Sequence, residues 1–456
     1  MAHRALAWLL LGVILGGYGV LGWRYAVLTP AWQVPDEPAH YNYIRQIAEE
    51  GRLPVIRSGD WDSAYQSLLT STRFHPDYLE ALERIEYGDH HPPLYYLLLT
   101  PVFLLSDGDL TALRLASVAV GAGAVLLAFL VIGRLFPQRP WLALTGAAFV
   151  AFVPQNLSIL SGVSNDGLAQ VMVGLGLLAS LHYLHLPADS DRHLRAALWM
   201  GLAVGLAFLT KTTVYFIAGV AGLALLLKWR RSGWPWRLAG QQIVVFLVPA
   251  LVMGGAWWAR NLSLYGGTDF LGLQRHAEVA GDQLRTEDYL NDSAFLNGDR
   301  EAFVRNFGTT TYNSFWGQFG WMAVPMTPRD YRILLIFCGV VGLGLVLALL
   351  RADGWRAWAS PQREGLVLMT VVAGLVVAAY LFYNLEFYQA QGRYLFPALI
   401  PLGLMVGLGL SGWASSLAER LRVPALHYAP LVAMLLLAAF AFYALQTYIV
   451  PNLGWQ

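Results

Sequence analysis

Apolar runs of about twenty residues recur along this chain, each long enough to cross a hydrocarbon core of roughly 30 Å. Composition agrees: of 456 residues, 57% are hydrophobic and 13% charged, with a mean hydropathy of +0.49. A soluble domain carries about 25% charged residues, so most of this surface expects lipid. The chain reads as an all-α polytopic membrane protein.

Hydropathy places spans near 8–28, 112–134, 141–160, 167–185, 196–210, 213–228, 239–259, 332–350, 366–384, 394–413 and 427–448. The connections "GRLFPQRP", "DSDRHLR", "KWRRSGWPWR", "RADGWRAWASPQRE" and "AERLR" are rich in Arg and Lys. The positive-inside rule puts all five in the cytoplasm with Arg4, and eleven spans alternate consistently with that assignment. The first span has a basic flank but no small-x-small cleavage pattern after it, so it reads as a retained anchor with a cytoplasmic N-terminus. Segment 90–109 carries about 13 apolar residues in a row around Pro101, which suits an interfacial helix better than a span. A formal net charge of +1 without a basic run gives no sign of nucleic acid, and the single cysteine, Cys338, excludes an intramolecular disulfide.

Two long loops, roughly 30–111 and 260–331, then fall on the external face of one membrane domain covering 1–456. They hold most of the acids, and chemistry concentrates on such loops. In "VPDEPAHYNYIRQIAEEG" a helix is expected from near Asp36 to Gly51, with Tyr41, Ile44, Ile47 and Ala48 on one face, as in a helix lying at the interface. Asp36 and His40, four apart, share another face. Asp36 and Glu37 suit a helix start by complementing its dipole. Beside a bilayer, however, ionised groups are costly unless paired or used.

The topology brings other charges to the same side. Asp166 in "SGVSNDGLAQ", Lys211 in "FLTKTTVY", Arg260 in "WWARNLSLYGG" and Arg393 in "YQAQGRYLFP" all stand at outer ends of spans, and His90 and His91 precede the Pro-Pro helix there. Singly, each is a cap or a snorkelling cation. Together they are what transfer from a lipid phosphate requires: a carboxylate to take a proton and cations to stabilise the departing phosphate. In "NFGTTTYNSFWGQFGWMAVPMTP", Tyr312, Phe315, Trp316, Phe319 and Trp321 form either an interfacial belt or a platform for a sugar ring, with Asn313 and Gln318 beside it. Glycines 308, 317 and 320 predict tight turns rather than a regular helix there.

"PDEPAHYNYIRQIAEEGRLPV", "HHPPLYY", "SNDG", "SFWGQFGW" and "QGRYLFPALIPL" together resemble the GT-C membrane glycosyltransferases, which include protein O-mannosyltransferases and lipid A aminoarabinose transferases. They look closest to a group of bacterial membrane proteins within that superfamily. The resemblance runs from about residue 30 to 400. It implies an inverting transferase in the bacterial inner membrane. The enzyme would take sugar from a polyprenyl-phosphate donor on the outer face and pass it to a glycan, lipid or protein acceptor. By the family pattern Asp36 is the base, Glu37 its neighbour and Asp166 the second acid. The aminoarabinose transferases have Lys before Pro-Pro where this chain has His91, so Arg260, Arg393 or Lys211 is left to hold the phosphate. Two acids in one cleft permit a divalent cation without requiring one. Two other classes fit the same composition: a transporter for a lipid-linked glycan, which would carry charges near the midplane of its spans, and a non-catalytic envelope assembly protein.

Overall fold

The computed structural model describes residues 2–350 and 358–454. The side chain of Arg4 lies outside the described residues, as do positions 351–357 of the basic segment 351–364. Among the described residues nineteen α-helices follow one another, interrupted by one two-stranded hairpin and short 3₁₀ and π turns. Helix α1 (Ala2–Leu28) leads into the first long loop, which holds α2 (Glu37–Glu50), α3 (Ser63–Ser71) and α4 (Leu94–Ser106). Then come α5 (Leu110–Leu135), α6 (Pro140–Phe152), α7 (Pro154–Leu160), α8 (Asp166–His185), α9 (His193–Phe208), α10 (Ile217–Ser232) and α11 (Trp236–Tyr265). The second long loop carries α12 (Leu273–Val279), α13 (Thr286–Asn291) and α14 (Arg300–Trp316), then the hairpin of β1 (Gln318–Phe319) and β2 (Val324–Pro325). Helices α15 (Pro328–Leu350), α16 (Ser360–Glu386), α17 (Leu399–Leu421), α18 (Pro430–Ala444) and α19 (Val450–Leu453) complete the described chain.

Among the described residues, nine helical segments are long and apolar enough to span a membrane. The pair α6–α7, bent by 66° at Val153–Pro154, makes a tenth, and the 16-residue apolar α9 occupies the remaining expected position. Helix α4 has 13 residues with Pro101 inside, short of a span as anticipated.

The bundle packs α9 along α11, α5 between α6 and α8, and α17 against α6 and α15. Between helices in lipid, close approach of small residues replaces the hydrophobic drive available in water. At α15–α17 a Cβ on Gly344 would stand 2.0 Å from the Gly409 carbonyl oxygen, so the two backbones touch only because the side chain is missing. The outward faces of α11, α15 and α16 expose Val252, Ile336, Leu343 and Phe382, which suits acyl chains.

Helix α2 runs between Asp36 and Gly51, both left-handed caps, close to the expected boundaries. Its buried side centres on Ala39, Tyr43 and Ile44, while Tyr41, Ile47 and Ala48 are half-buried. The expected interfacial face is thus partly covered by protein, because α4 lies over the helix and stacks Tyr96 on Tyr43 at 3.7 Å. Gly308 is a second correction: it sits inside α14, whose flanking residues carry the helix through it despite its weak propensity. Gly320, at φ 57°, does open the hairpin turn, whereas Gly317 ends α14 in extended backbone, so the two flank β1.

Candidate active site

Four charged side chains from four distant segments meet at one end of the bundle as two ion pairs. Arg393 Nη2 donates to Asp36 Oδ2 at 2.7 Å, and Lys211 Nζ donates to Asp166 Oδ1 at 2.6 Å. The Asp36 and Asp166 side chains keep 30% and 25% of their surface, so both pairs face open space rather than the core.

Each member is placed by its own local structure. Asp36 has φ 67° and ψ 0°, a left-handed conformation that Asp tolerates better than most residues. That turn aims its carboxylate away from the helix it precedes, where Oδ1 accepts from the Tyr87 hydroxyl at 2.8 Å. Asp166 opens α8, and Ser164 Oγ accepts its amide at 3.2 Å. Lys211 sits in extended backbone between α9 and the turn Thr212–Val214. Arg393 lies in the 3₁₀ segment Gly392–Ala398, which is pressed against α14. There a Cβ on Gly392 would fall 2.3 Å from the Phe315 amide nitrogen, so only glycine lets Arg393 come this close.

His40 stands between the two pairs. Its Nδ1 shares a hydrogen bond with the Tyr96 hydroxyl at 2.9 Å, and that hydroxyl also accepts from Asn165 Nδ2 at 3.3 Å. The motif "HHPPLYY" thus fastens α2 to the loop before α8. Tyr95 OH contributes by accepting from the Ser164 amide at 2.9 Å. Beyond His40 the rings of His91, His90 and His276 follow at 5.7, 4.1 and 4.2 Å, so the second long loop reaches the site through α12.

The electrostatics follow from this packing. Burial works to raise the Asp36 carboxyl, but the Arg393 guanidinium, His40 and the Tyr87 hydroxyl outweigh it and hold its pKa at about 2. Burial drives His40 down to about 4, with Lys211 and Arg393 adding to the fall and both acids opposing it. Burial also takes His91 and His90 well below the ordinary histidine range, so this ladder is neutral at pH 7. The cations that face Asp36 and Asp166 are therefore Arg393 and Lys211.

The remaining expected residues lie elsewhere. Glu37 is fully buried and turned away from Asp36, gripped by Arg114 Nε at 2.7 Å and Nη2 at 2.6 Å and by the amides of Trp32 and Val163. Arg114 also donates to the carbonyls of Ala26, Thr29 and Pro30, so the pair ties the end of α1 to α5. Arg260 is spent on the carbonyls of Leu53 and Pro54 and lies over the Trp257 ring at 4.6 Å. Trp316 is buried against Phe149, Phe315 and Phe337, which removes it as an open platform. Trp321 stacks on Phe74 and donates Nε1 to the Trp32 carbonyl at 2.9 Å.

Sequence reasoning overlooked Tyr87, Tyr96, Arg114, His276 and Tyr394, whose ring lies 5.4 Å from the Arg393 guanidinium. A lone arginine within the first turns of an apolar span was the available signal for Arg114.

Among the described residues, no three metal-ligating side chains gather at Asp36 and Asp166; the one such group is elsewhere, at Asp60, Glu86 and Asp89. Asp36 and Asp166 are instead each paired with a cationic side chain, Arg393 and Lys211.

Against known proteins, the fold is similar to the oligosaccharyltransferase of Archaeoglobus fulgidus in complex with zinc and sulfate, with a TM-score of 0.51 at 14% identity. That alignment covers 96% of this chain and 53% of the other. ArnT from Cupriavidus metallidurans bound to undecaprenyl phosphate aligns over 98% of this chain and 74% of its own, with a TM-score of 0.49 at 15% identity. The Saccharomyces cerevisiae protein O-mannosyltransferase Pmt1–Pmt2 complex bound to its sugar donor aligns over 54% of this chain and 32% of its own, with a TM-score of 0.38 at 18% identity. No curated protein matches by sequence. The fold is of the GT-C type, an all-α polytopic membrane architecture. The family described as "Predicted membrane protein (DUF2142)" matches residues 75–402, which hold Asp166, Lys211 and Arg393 and begin after Asp36. With well over half of its length matched, this chain belongs to the DUF2142 family of membrane proteins.

Proposed function

We propose that this protein is an inverting glycosyltransferase that moves a sugar from a polyprenyl-phosphate donor to an acceptor hydroxyl. The reading places one membrane domain in a bacterial-type inner membrane, with a cytoplasmic N-terminus and the loops 30–111 and 260–331 over an external site. The observation that carries it is the convergence of Asp36–Arg393 and Asp166–Lys211 around His40 at one end of the bundle. A lipid-linked donor is in keeping with the undecaprenyl phosphate bound by ArnT.

The geometry suggests how the donor would prepare its own base. A carboxylate held near pKa 2 is a weak proton acceptor, because general bases work best near the operating pH. An arriving phosphate competes with Asp36 for Arg393. As the guanidinium turns to the phosphate, Asp36 loses its main stabilising charge and becomes more basic where the acceptor hydroxyl must sit. The acceptor oxygen then attacks the anomeric carbon while the bond from that carbon to the phosphate oxygen breaks. Asp36 takes the hydroxyl proton, and polyprenyl phosphate leaves with the bonding electrons against Arg393 and Lys211. A single displacement inverts the anomeric centre. Asp166 holds Lys211 in place, and Glu37 acts at a distance by fixing the turn that presents Asp36.

A transporter would need charged groups near the midplane of its spans. Among the described residues, the buried charges within these helices, Arg114, Lys228 and Asp330, lie within two turns of a helix end. The deciding experiment measures transfer of labelled sugar from a panel of polyprenyl-phosphate sugars, with native membranes supplying acceptor. Label should enter a new product with wild type and fall by about 10²–10⁴-fold with Asp36→Asn, the range for losing a general base. Equal transfer by both proteins would remove Asp36 from the role.

A further inference from the structure

A second group of acids lies apart from the Asp36 site. One carboxylate oxygen from each of Asp60, Glu86 and Asp89 falls within 4.8 Å of the others. Asp60 closes the turn at 57–60, Glu86 precedes the 3₁₀ turn Tyr87–His90 and Asp89 lies within it, so two chain segments are brought together. Arg57, Arg260 and Arg275 stand near enough to favour the ionised carboxylates, but among the described residues none forms an ion pair with Asp60 or Asp89. Asp60 Oδ2 accepts from the Arg57 amide at 2.5 Å, and Asp89 Oδ2 accepts from Gln46 Nε2 at 2.9 Å. The ion pair that reaches the group, Arg45–Glu86, is long at 3.8 Å, and Arg45 is shared with Glu83 at 3.0 Å.

Acidic groups are common on surfaces. An enclosed carboxylate oxygen without a donor is not. Asp89 is only 1% exposed, and with Oδ2 taken by Gln46, its Oδ1 is fully enclosed and has no hydrogen-bond partner. An enclosed carboxylate oxygen without a donor, in a residue grouped with two further acids, calls for a ligand that brings positive charge.

We propose that Asp60, Glu86 and Asp89 form a binding site for a divalent cation of the calcium class, separate from the Asp36–Arg393 and Asp166–Lys211 pairs. The donors are all oxygen, which hard cations prefer. Calcium holds its oxygens at about 2.3–2.6 Å, so two of them on opposite sides stand about 4.6–5.2 Å apart, which accommodates a spread of up to 4.8 Å. Magnesium, at about 2.0–2.1 Å, spans only about 4.2 Å and would require the segments to close in. The bound ion has a structural consequence: Tyr87 lies between Glu86 and Asp89, its hydroxyl donates to Asp36, and its carbonyl holds His90 Nδ1 at 3.0 Å. The cation would thus fix the turn that braces the Asp36 carboxylate.

The test is calcium binding by the full-length protein in detergent, stripped with chelator and titrated with calcium chloride by calorimetry, with melting temperature read in parallel. Wild type should take up one calcium saturably and melt at a higher temperature with it. Asp60→Asn and Glu86→Gln, at partly exposed positions, should each weaken binding at least tenfold while melting cooperatively. Asp77→Asn, in the same loop, should bind like wild type. No saturable uptake by wild type, or equal uptake by the Asp60→Asn/Glu86→Gln double variant, would overturn the site. Equal competition by magnesium would overturn the calcium assignment.

Discussion

Asp36 and Arg393, 357 positions apart in the chain, form an ion pair of 2.7 Å that leaves the Asp36 side chain 30% exposed and the Arg393 side chain 9% exposed. The cation is more deeply held than the acid, so the acid is the member free to meet a substrate. Replacing Arg393 by Met should let the Asp36 pKa rise from about 2 towards the ordinary carboxylate value. Stability measured against pH checks this. A carboxylate with a depressed folded pKa stabilises the fold above its unfolded pKa, and that contribution fades as pH falls through about 2. In Arg393→Met this acid-side loss should disappear; its persistence would show that Arg393 does not set the pKa.

Gly392→Ala should damage the site without touching a charge. The added Cβ meets backbone of α14 at 2.3 Å, and neither backbone can yield as a flexible side chain would. Overpacking of this kind costs about 1–3 kcal/mol. We expect a lower melting temperature and a fall in sugar transfer of at least tenfold, as Arg393 moves off Asp36. Wild-type transfer in a destabilised Gly392→Ala protein would separate the packing from the chemistry.

Removing one member of the buried Glu37–Arg114 pair should be costly to stability. Glu37 is fully buried, and Glu37→Gln leaves Arg114 enclosed with its charge unmatched, a change worth about 3–5 kcal/mol. Replacing both, as in Glu37→Gln/Arg114→Met, should cost less than the sum of the single changes. Thermal unfolding in detergent reads both. Additive losses would mean that the two residues act independently.

Acid should destabilise the protein well before Asp36 titrates. His40 has a folded pKa of about 4 against an ordinary 6.5, so its neutral form stabilises the fold fully above 6.5 and less as pH falls towards 4. The groups facing it are Asp36, Lys211, Asp166 and Arg393, with the neutral His91 stacked beside it. His40→Gln should make the stability profile less steep between about pH 4 and 6.5, leaving the share that the buried His90 and His91 contribute. An unchanged profile would assign the acid loss elsewhere.

Much of this architecture was legible in the sequence. Hydropathy is a local, additive property, so span positions could be read directly from apolar length. The polar segments named the correct end of each helix for Asp166, Lys211 and Arg393. The caps of α2 were equally plain, because Asp-Glu-Pro and Gly51 each act on the adjacent backbone. Gly308 was misread for the complementary reason: its local preference for a turn yielded to the helix around it.

The tertiary structure decided which charges belong together. Asp36 and Glu37 are adjacent and chemically alike, yet the left-handed turn at Asp36 and the helix starting at Glu37 send them in opposite directions. One meets Arg393 at the open end of the bundle, and the other meets Arg114, 77 residues away, in a sealed pocket. No local pattern distinguishes them, since pairing depends on packing between segments far apart in the chain. The same holds for Arg260 and Trp316, which have the right composition for a site and are consumed by the scaffold. Sequence by itself determined a helical membrane bundle with charges at one end; packing alone selected Asp36, Asp166, Lys211 and Arg393 from among them.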